Sequence, residues 1–405
     1  MDLFISGRST LLQLLTVLEK WTDELDKGNI VDVIFLDFKK AFDKVPHTRL
    51  ISKLRHYGFN GRILLWIESF LQGRTQRVVY QQTHSDWREV KSGVPQGSVL
   101  GPILFIIYVN SLPNQVDHSD VFLFADDTKV FKSILQPSDR DKLQDDLKKI
   151  NEWTKESLLV FNADKCVSMT IGRRGDNEET YHIVRTELKK VRSEKDLGVT
   201  VDNRLTFETH MWEKIKKANS IMATIRRTYQ HLDKNTFTLL YKALVRPHLE
   251  YCNQAWHPHL RKHIDALENV QRRATRLIPG MSDLSYPERL EALDLPTLAY
   301  RRLRGDMIET FKILTERYDN EVCGDLLQPN LRQSRGHNLK LYKPQTRTDI
   351  KKFSFTHRIV EPWNSLLAHV IEAPSTKAFE ARLDRHWNDL PLKKDHRMRN
   401  PPLSQ

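Results

Sequence analysis

Apolar positions along the chain change period several times, and the changes predict its elements. Leu11, Leu14, Leu15, Leu18, Trp21 and Leu25 recur at helical spacing, with Ser9 placed to cap the helix and Gly28 to end it. The run Ile30-Val31-Asp32-Val33-Ile34-Phe35-Leu36-Asp37 is β-branched and apolar and predicts a buried strand ending on a carboxylate. Beyond a polar loop at Val45-Pro46-His47, amphipathic helices are expected from Leu50 to Tyr57 and from Arg62 to Leu71. Thr75 to Tyr80 and Trp87 to Val90 read as paired strands, and Ser92 to Gly101 as a Pro/Gly-rich turn opening an apolar helix, Pro102 to Tyr108. Val121 to Ala125 predicts a strand, Asp126-Asp127 a turn and Thr128 to Phe131 the returning strand, a hairpin with acids at its tip. A mainly polar helix, Ser138 to Leu158, follows. Two strands, around Ser168 to Ile171 and Leu197 to Val201, then enclose a charged loop near Gly172 to Glu179.

After about residue 207 the strand signals thin out. Met211, Ile215, Ala218, Met222, Ile225 and Tyr229 keep helical register, as do Phe237, Leu240, Tyr241 and Leu244, then Ile264, Leu267, Val270, Ala274 and Leu277. Lys214, Lys216, Lys217, Arg226, Arg227, Arg272, Arg273 and Arg276 fall off those stripes, so helices with basic outer faces are expected. From about 320 a polar loop, Gln328 to Thr348, precedes amphipathic helices containing Phe353, Trp363 and Phe379.

Composition bounds this picture. A chain of 405 residues suggests about two or three domains. No window approaches the roughly 18 consecutive apolar residues of a spanning helix, and Met1-Asp2 is not the basic start of a secretory signal. A soluble intracellular protein without membrane partners is expected, in nucleus or cytoplasm. Three scattered cysteines, Cys166, Cys252 and Cys323, support neither a disulfide framework nor a cysteine zinc site. The formal charge of +12 leans toward a polyanionic partner but is moderate for this length.

The candidate chemistry sits at strand ends. Asp37 and the pair Asp126-Asp127 each close an apolar run, and a carboxylate there is costly unless solvated, paired or bound to metal. Carboxylates from separate strands can share two divalent ions about 3.5–4 Å apart, which stabilise the attacking and leaving oxygens of an in-line phosphoryl displacement. An oxygen-only donor set suits Mg²⁺. Taken singly, each Asp equally suits a turn.

Further motifs stand around these acids: Asp37-Phe38-Lys39-Lys40-Ala41-Phe42-Asp43, Gly93-Val94-Pro95-Gln96-Gly97-Ser98-Val99-Leu100-Gly101-Pro102, Phe161-Asn162-Ala163-Asp164-Lys165-Cys166 and Lys195-Asp196-Leu197-Gly198-Val199. Arg358, Trp363-Asn364-Ser365-Leu366 and Phe379 extend the set to the tail. In this order they resemble the reverse transcriptases of non-LTR, LINE-type retrotransposons, within these the jockey and chicken-repeat group.

The resemblance implies an α+β fold: a right-hand polymerase palm, an antiparallel sheet with packed helices, over residues 29–207. A fingers remnant or connecting helix over 1–28 would precede it, a helical thumb-like domain over 208–320 would follow, and a helical segment would occupy 321–405. Asp37, Asp126 and Asp127 would be catalytic and hold two Mg²⁺ ions, with the Phe38 carbonyl as a further ligand. Phe42 would be a steric gate against the ribose 2′-hydroxyl. Pro95, Gln96 and Gly97 would contact nucleotide and template, Gly97 permitting close backbone approach. Lys165 would lie near the triphosphate and protonate the leaving pyrophosphate. Leu197-Gly198 would grip the primer end. Lys214, Lys217, Arg226, Arg227, Arg272 and Arg273 would track the nucleic-acid backbone through phosphate contacts.

The implied partners are an RNA template, a DNA primer and dNTPs; no obligate protein partner is inferable. Phe4 to Thr10 resembles the end of the family's fingers region, so most of the fingers and an upstream endonuclease are expected to be missing, which weakens the expected catalysis. The rival expectations are a catalytically inactive nucleic-acid-binding protein and a translated element relic. A viral RNA-copying polymerase is disfavoured by Phe42.

Overall fold

A computed structural model describes residues 7–172, 179–229, 231–330 and 336–398. Phe4 to Ser6 and most of the expected charged loop lie outside the described residues. The fold is mixed α/β and divides into two units, Met1–Thr10 with Asn29–Arg192, and Leu11–Gly28 with Ser193–Gln405.

The Leu/Trp stripe at the start forms α1 (Thr10–Lys27). It belongs to the second unit: Leu12 and Leu15 join a core containing Met307, Phe311 and Trp363. Asp26 accepts the backbone N–H groups of Arg347 and Thr348 at 2.9 and 2.7 Å, and Lys351 pairs with Glu19 at 2.5 Å. Helical periodicity locates such a stripe without saying which distant residues will cover it.

The first unit runs through β1 (Ile30–Leu36), the single turn α2 (Ala41–Lys44), α3 (His47–His56) and α4 (Gly61–Leu71). Then come β2 (Thr75–Gln76), β3 (Val79–Tyr80), β4 (Thr83–His84), β5 (Arg88–Glu89) and α5 (Leu100–Val109). It closes with β6 (Asp120–Phe124), β7 (Asp127–Ile134), α6 (Ser138–Ser157), β8 (Val167–Ile171), β9 (His182–Ile183), β10 (Thr186–Glu187) and β11 (Lys189–Lys190). Among the described residues the main sheet has the order β11-β8-β1-β7-β6, antiparallel except for β11 beside β8.

As the middle strand, β1 is buried almost throughout, which is why its sequence is apolar rather than alternating. Its one acid is neutralised internally: Asp32 accepts from Arg140 Nε at 3.0 Å and from the Tyr181 hydroxyl at 2.6 Å. Burial and the Asp32 charge push the Tyr181 hydroxyl far above its ordinary pKa. The expected strand pair 75–80/87–90 is narrower than its sequence suggests. β2 pairs β5 and β3 pairs β4, with Gln81 and Gln82 both at positive φ in the turn. All eight paired residues are exposed, so no packing extends the ladder.

The second unit continues through the hairpin β12 (Ser193–Asp196)–β13 (Val199–Asp202) into α7 (Glu208–Thr228) and α8 (Lys234–Leu240). It proceeds through α9 (Arg246–Glu250), α10 (Asn253–Trp256), α11 (Arg261–Thr275), α12 (Tyr286–Ala292) and α13 (Leu298–Leu314), then shorter helices up to His386. Its tail motif is structural. Arg358 makes a bidentate bond to the buried Asp306 carboxylate, both contacts 2.9 Å, and donates to the Gln254 carbonyl at 2.8 Å. Trp363 is fully buried, and the Asn364 amide pairs with both backbone groups of Leu341 at 2.8 Å. The three cysteines are buried, and no helix among the described residues is long and apolar enough to cross a membrane.

Candidate active site

Register brings the candidate acids to one end of the sheet. The last ladder pair of β1 and β7 is Leu36–Thr128, so Asp37 stands one position beyond it, on the side of Asp127. The β6–β7 turn closes on the Phe124–Asp127 pair, with Ala125 at φ 55° and Asp126 inside the turn. Asp37 and Asp126 are half-buried and Asp127 is exposed. The backbone of Asp37 is pinned on its other side: its carbonyl accepts from Asn162 N at 2.7 Å, and Lys39 N donates to the Val160 carbonyl at 2.7 Å. These bonds pair Phe38 with Phe161 in an isolated antiparallel bridge. Its buried ring stacks on Phe161 at 4.6 Å, so only its backbone is in a position to meet a ligand. Lys165 Nζ lies 3.5 Å from Asp37 Oδ2, and Cys166 beneath it has its thiol pushed up to about 11 by burial.

Two neighbouring elements frame these acids. Phe42, half-buried on α2, stacks on Phe105 of α5 at 4.5 Å and 21°. The turn from Ser92 to Gly101 is fastened to the same α2: Val94 N donates to the Phe42 carbonyl at 2.8 Å, Gly93 N to Val45 at 2.8 Å, and Ser92 Oγ to Asp43 at 2.9 Å. Within the turn, Ser98 Oγ donates to the Pro95 carbonyl at 2.8 Å and accepts from Gly101 N at 2.9 Å. Gln96 is exposed, its amide 3.5 Å from Asp43 Oδ1. Gly97 leaves the space around it open. Nothing lies within 4 Å of where its Cβ would be, and its φ of 83° is what calls for glycine. Close approach within the chain occurs at Gly93 and Gly101, whose Cβ atoms would meet Asp43 Cα at 2.8 Å and the Pro95 carbonyl oxygen at 2.2 Å.

In the second unit, Leu197 and Gly198 form the β12–β13 turn rather than the start of a strand, because both have positive φ (46° and 84°), the conformation of a two-residue hairpin turn. Two bonds hold it and a ring flanks it: the Tyr251 hydroxyl donates to Leu197 O at 2.9 Å, Lys214 Nζ donates to Gly198 O at 3.3 Å, and the Tyr251 ring would lie 3.0 Å from a Gly198 Cβ. The basic residues separate accordingly. Lys217, Arg226 and Arg227 are exposed on α7, and Arg273 bonds Asn219 of α7 at 3.2 Å. Lys214 serves the turn, and burial lowers its pKa. Arg272 is half-buried with its guanidinium over the Tyr286 ring at 5.1 Å, so it does not join the outer face.

An all-oxygen donor set from adjacent strands has the chemistry for Mg²⁺. Yet among the described residues no three or more His, Cys, Asp or Glu side chains converge closely enough to hold a metal ion. The donor types fit, and Lys165 stands beside Asp37.

The family model for reverse transcriptase (RNA-dependent DNA polymerase) matches residues 3–201. That segment belongs to the reverse transcriptase family. The chain is 28% identical over 293 residues to the probable RNA-directed DNA polymerase from transposon X-element of Drosophila melanogaster, covering 68% of this chain and 31% of that protein. It is 30% identical over 261 residues to the RNA-directed DNA polymerase from mobile element jockey of the same organism, covering 61% and 28%. The reverse transcriptase domain is thus homologous to those of non-LTR retrotransposons, while the chain spans about a third of the length of these curated relatives. A solved telomerase from Candida tropicalis, in complex with the TWJ fragment of telomeric RNA, aligns at 13% identity and a TM-score of 0.36, over 70% of this chain and 52% of that one.

The reverse transcriptase segment contains Asp37, Phe42, the Pro95–Gly97 turn, Asp126, Asp127, Lys165 and the Leu197–Gly198 turn; α7 and α11 lie outside it. Sequence reasoning overlooked His47, Arg74 and Asp43, which hold that domain's Gly93–Gly101 turn in place. The signal for Gly93 was present, since a glycine opening a Pro/Gly-rich turn suggests positive φ. No local pattern marks Arg74, which reaches the Gly93 carbonyl and the His47 ring, both distant in sequence, as well as the nearby Leu71 carbonyl.

Proposed function

We propose that the chain is the RNA-directed DNA polymerase region of a non-LTR retrotransposon, extending a DNA primer along an RNA template with dNTPs. In this reading residues 29–207 form the palm, 208–320 a thumb and 321–405 a helical extension. The observation that carries it is the strand register placing Asp37, Asp126 and Asp127 at one end of the sheet. Those carboxylates would hold two Mg²⁺ ions, which when bound stabilise the attacking and leaving oxygens of the displacement.

The chain's own residues supply the rest. The Phe42 ring, braced by Phe105, would fill the space a 2′-hydroxyl requires. Pro95, Gln96 and Gly97 would seat the base pair, the open space above Gly97 being where it approaches. Lys165 would deliver a proton to the departing pyrophosphate oxygen, for which its ammonium must leave Asp37. Leu197 and Gly198 would support the primer end, and Lys217, Arg226 and Arg227 would meet backbone phosphates.

A second reading is an inactive nucleic-acid-binding protein, which needs only the exposed Lys217, Arg226 and Arg227 of α7. Primer extension on an RNA template, with dNTPs and rNTPs in parallel, separates the readings. Extension with dNTPs supports the proposal. Extension with rNTPs alone points to an RNA-copying enzyme, and binding without extension supports the second reading.

A further inference from the structure

At the root of the turn carrying Pro95, Gln96 and Gly97, one main-chain carbonyl gathers two side chains. Gly93, at its root, is buried against α2, and the Gly93 carbonyl oxygen accepts from Arg74 Nη2 at 2.7 Å and lies 2.9 Å from His47 Nε2. The two nitrogens are 3.3 Å apart. Arginine can only donate, and a carbonyl oxygen has two lone pairs. The arrangement is therefore satisfied when His47 carries its proton on Nε2 and gives it to the same oxygen. A bare Nε2 would set a lone pair against the carbonyl.

Arg74 also binds two other elements. Its Nε donates to the Leu71 carbonyl at the end of α4, at 2.9 Å, and its own carbonyl accepts Val90 N at 2.8 Å, closing the base of the β2–β5 pair. Burial lowers its pKa, and no carboxylate among the described residues pairs with it. A guanidinium placed on two main-chain carbonyls and a ring serves geometry rather than charge neutralisation.

We propose that Arg74 and His47 are positioning residues for the incoming nucleotide, fixing the root of the Pro95–Gly97 turn against the backbone that carries Phe42. The link is direct: Val94, next to Gly93, donates to the Phe42 carbonyl. When the Gly93 carbonyl is released, the turn and the ring lose their fixed separation, and discrimination between deoxyribose and ribose falls. The inference rests on the assignment of Phe42 and the turn made above.

The test measures Kd for a fluorescent dNTP and its ribonucleotide counterpart on the full chain carrying an RNA–DNA primer–template, alongside primer extension and thermal melting. Arg74→Met and His47→Ala should lower the deoxy-over-ribo preference, Arg74→Met by roughly tenfold to a hundredfold, the scale of a misplacement of about 1 Å. Arg74→Lys should restore part of it, and Arg77→Met, on the exposed hairpin, should leave it unchanged. A preference that stays at the wild-type value while melting temperature falls would reduce both residues to structural supports and overturn the proposal. So would a wild-type chain with no deoxy preference. A wild type that binds dNTP selectively without extending it refutes the polymerase reading alone.

Discussion

Glycine substitutions in the Gly93–Gly101 turn separate two kinds of requirement that the sequence motif runs together. Gly97 has φ 83° with open space around its missing Cβ, so Gly97→Ala costs only the left-handed backbone, about 1–2 kcal/mol. Gly93 has φ 90° and a Cβ position 2.8–2.9 Å from Asp43 Cα, C and O. Those are backbone atoms that cannot swing aside. Relief requires opening the Gly93–Val45 and Val94–Phe42 bonds, each 2.8 Å and each worth about 0.5–1.5 kcal/mol net. Gly93→Ala should therefore cost about 2–5 kcal/mol when the two contributions are combined. Urea denaturation followed by circular dichroism, comparing midpoints at constant m, measures the difference. Gly97→Ala should in addition weaken nucleotide binding beyond its small effect on stability, because the space it fills is the one proposed for the ligand. Equal destabilisation by the two substitutions, or a larger loss at Gly97, would refute the steric argument.

Lys53 is half-buried where it donates to the Tyr108 carbonyl at 2.5 Å and to Ser111 at 3.0 Å, and this burial pulls its pKa from 10.5 to about 8. Above pH 8 the unfolded chain holds a proton that the folded chain has lost, so stability should rise with pH from about 8 toward 10. Lys53→Met should flatten that rise in denaturation curves. The window stops there because burial holds the Tyr108 hydroxyl up to about 12, which reverses the slope above 10. In RNA–DNA duplex binding across a salt series, Lys217→Ala and Arg227→Ala should each reduce the slope by about 0.7–0.9 for a lost phosphate contact. Arg272→Ala should keep the slope and lose stability, since its guanidinium lies on Tyr286.

Where local periodicity determines structure, the sequence was legible. The buried strand through Leu36, the acid-tipped hairpin at Asp126 and the helices over α3, α4, α5 and α6 all follow from patterns of two or 3.6 residues. What was not legible depends on distant partners. Nothing in the stripe from Leu11 to Leu25 announces that Met307 and Trp363 will cover it, so its membership of the second unit was unreadable. Arg272 and Arg273 are adjacent and identical in type, yet one stacks on Tyr286 and the other reaches Asn219, a distinction set by the packing of α11. The tail residues Arg358 and Asn364 stood out only as a motif; their partners Asp306 and Leu341 show that they hold the second unit together. At the site, motif order located the acids and the turn, but Arg74 and His47 act through the Gly93 main chain, which carries no sequence signature.

The central claim is tested most directly by extending a labelled DNA primer on an RNA template with dNTPs and Mg²⁺, comparing the wild-type chain with Asp126→Asn. The account predicts extension by the wild type and its loss in Asp126→Asn, with duplex binding unchanged in the variant. Equal product from both proteins, or none from either, would contradict it.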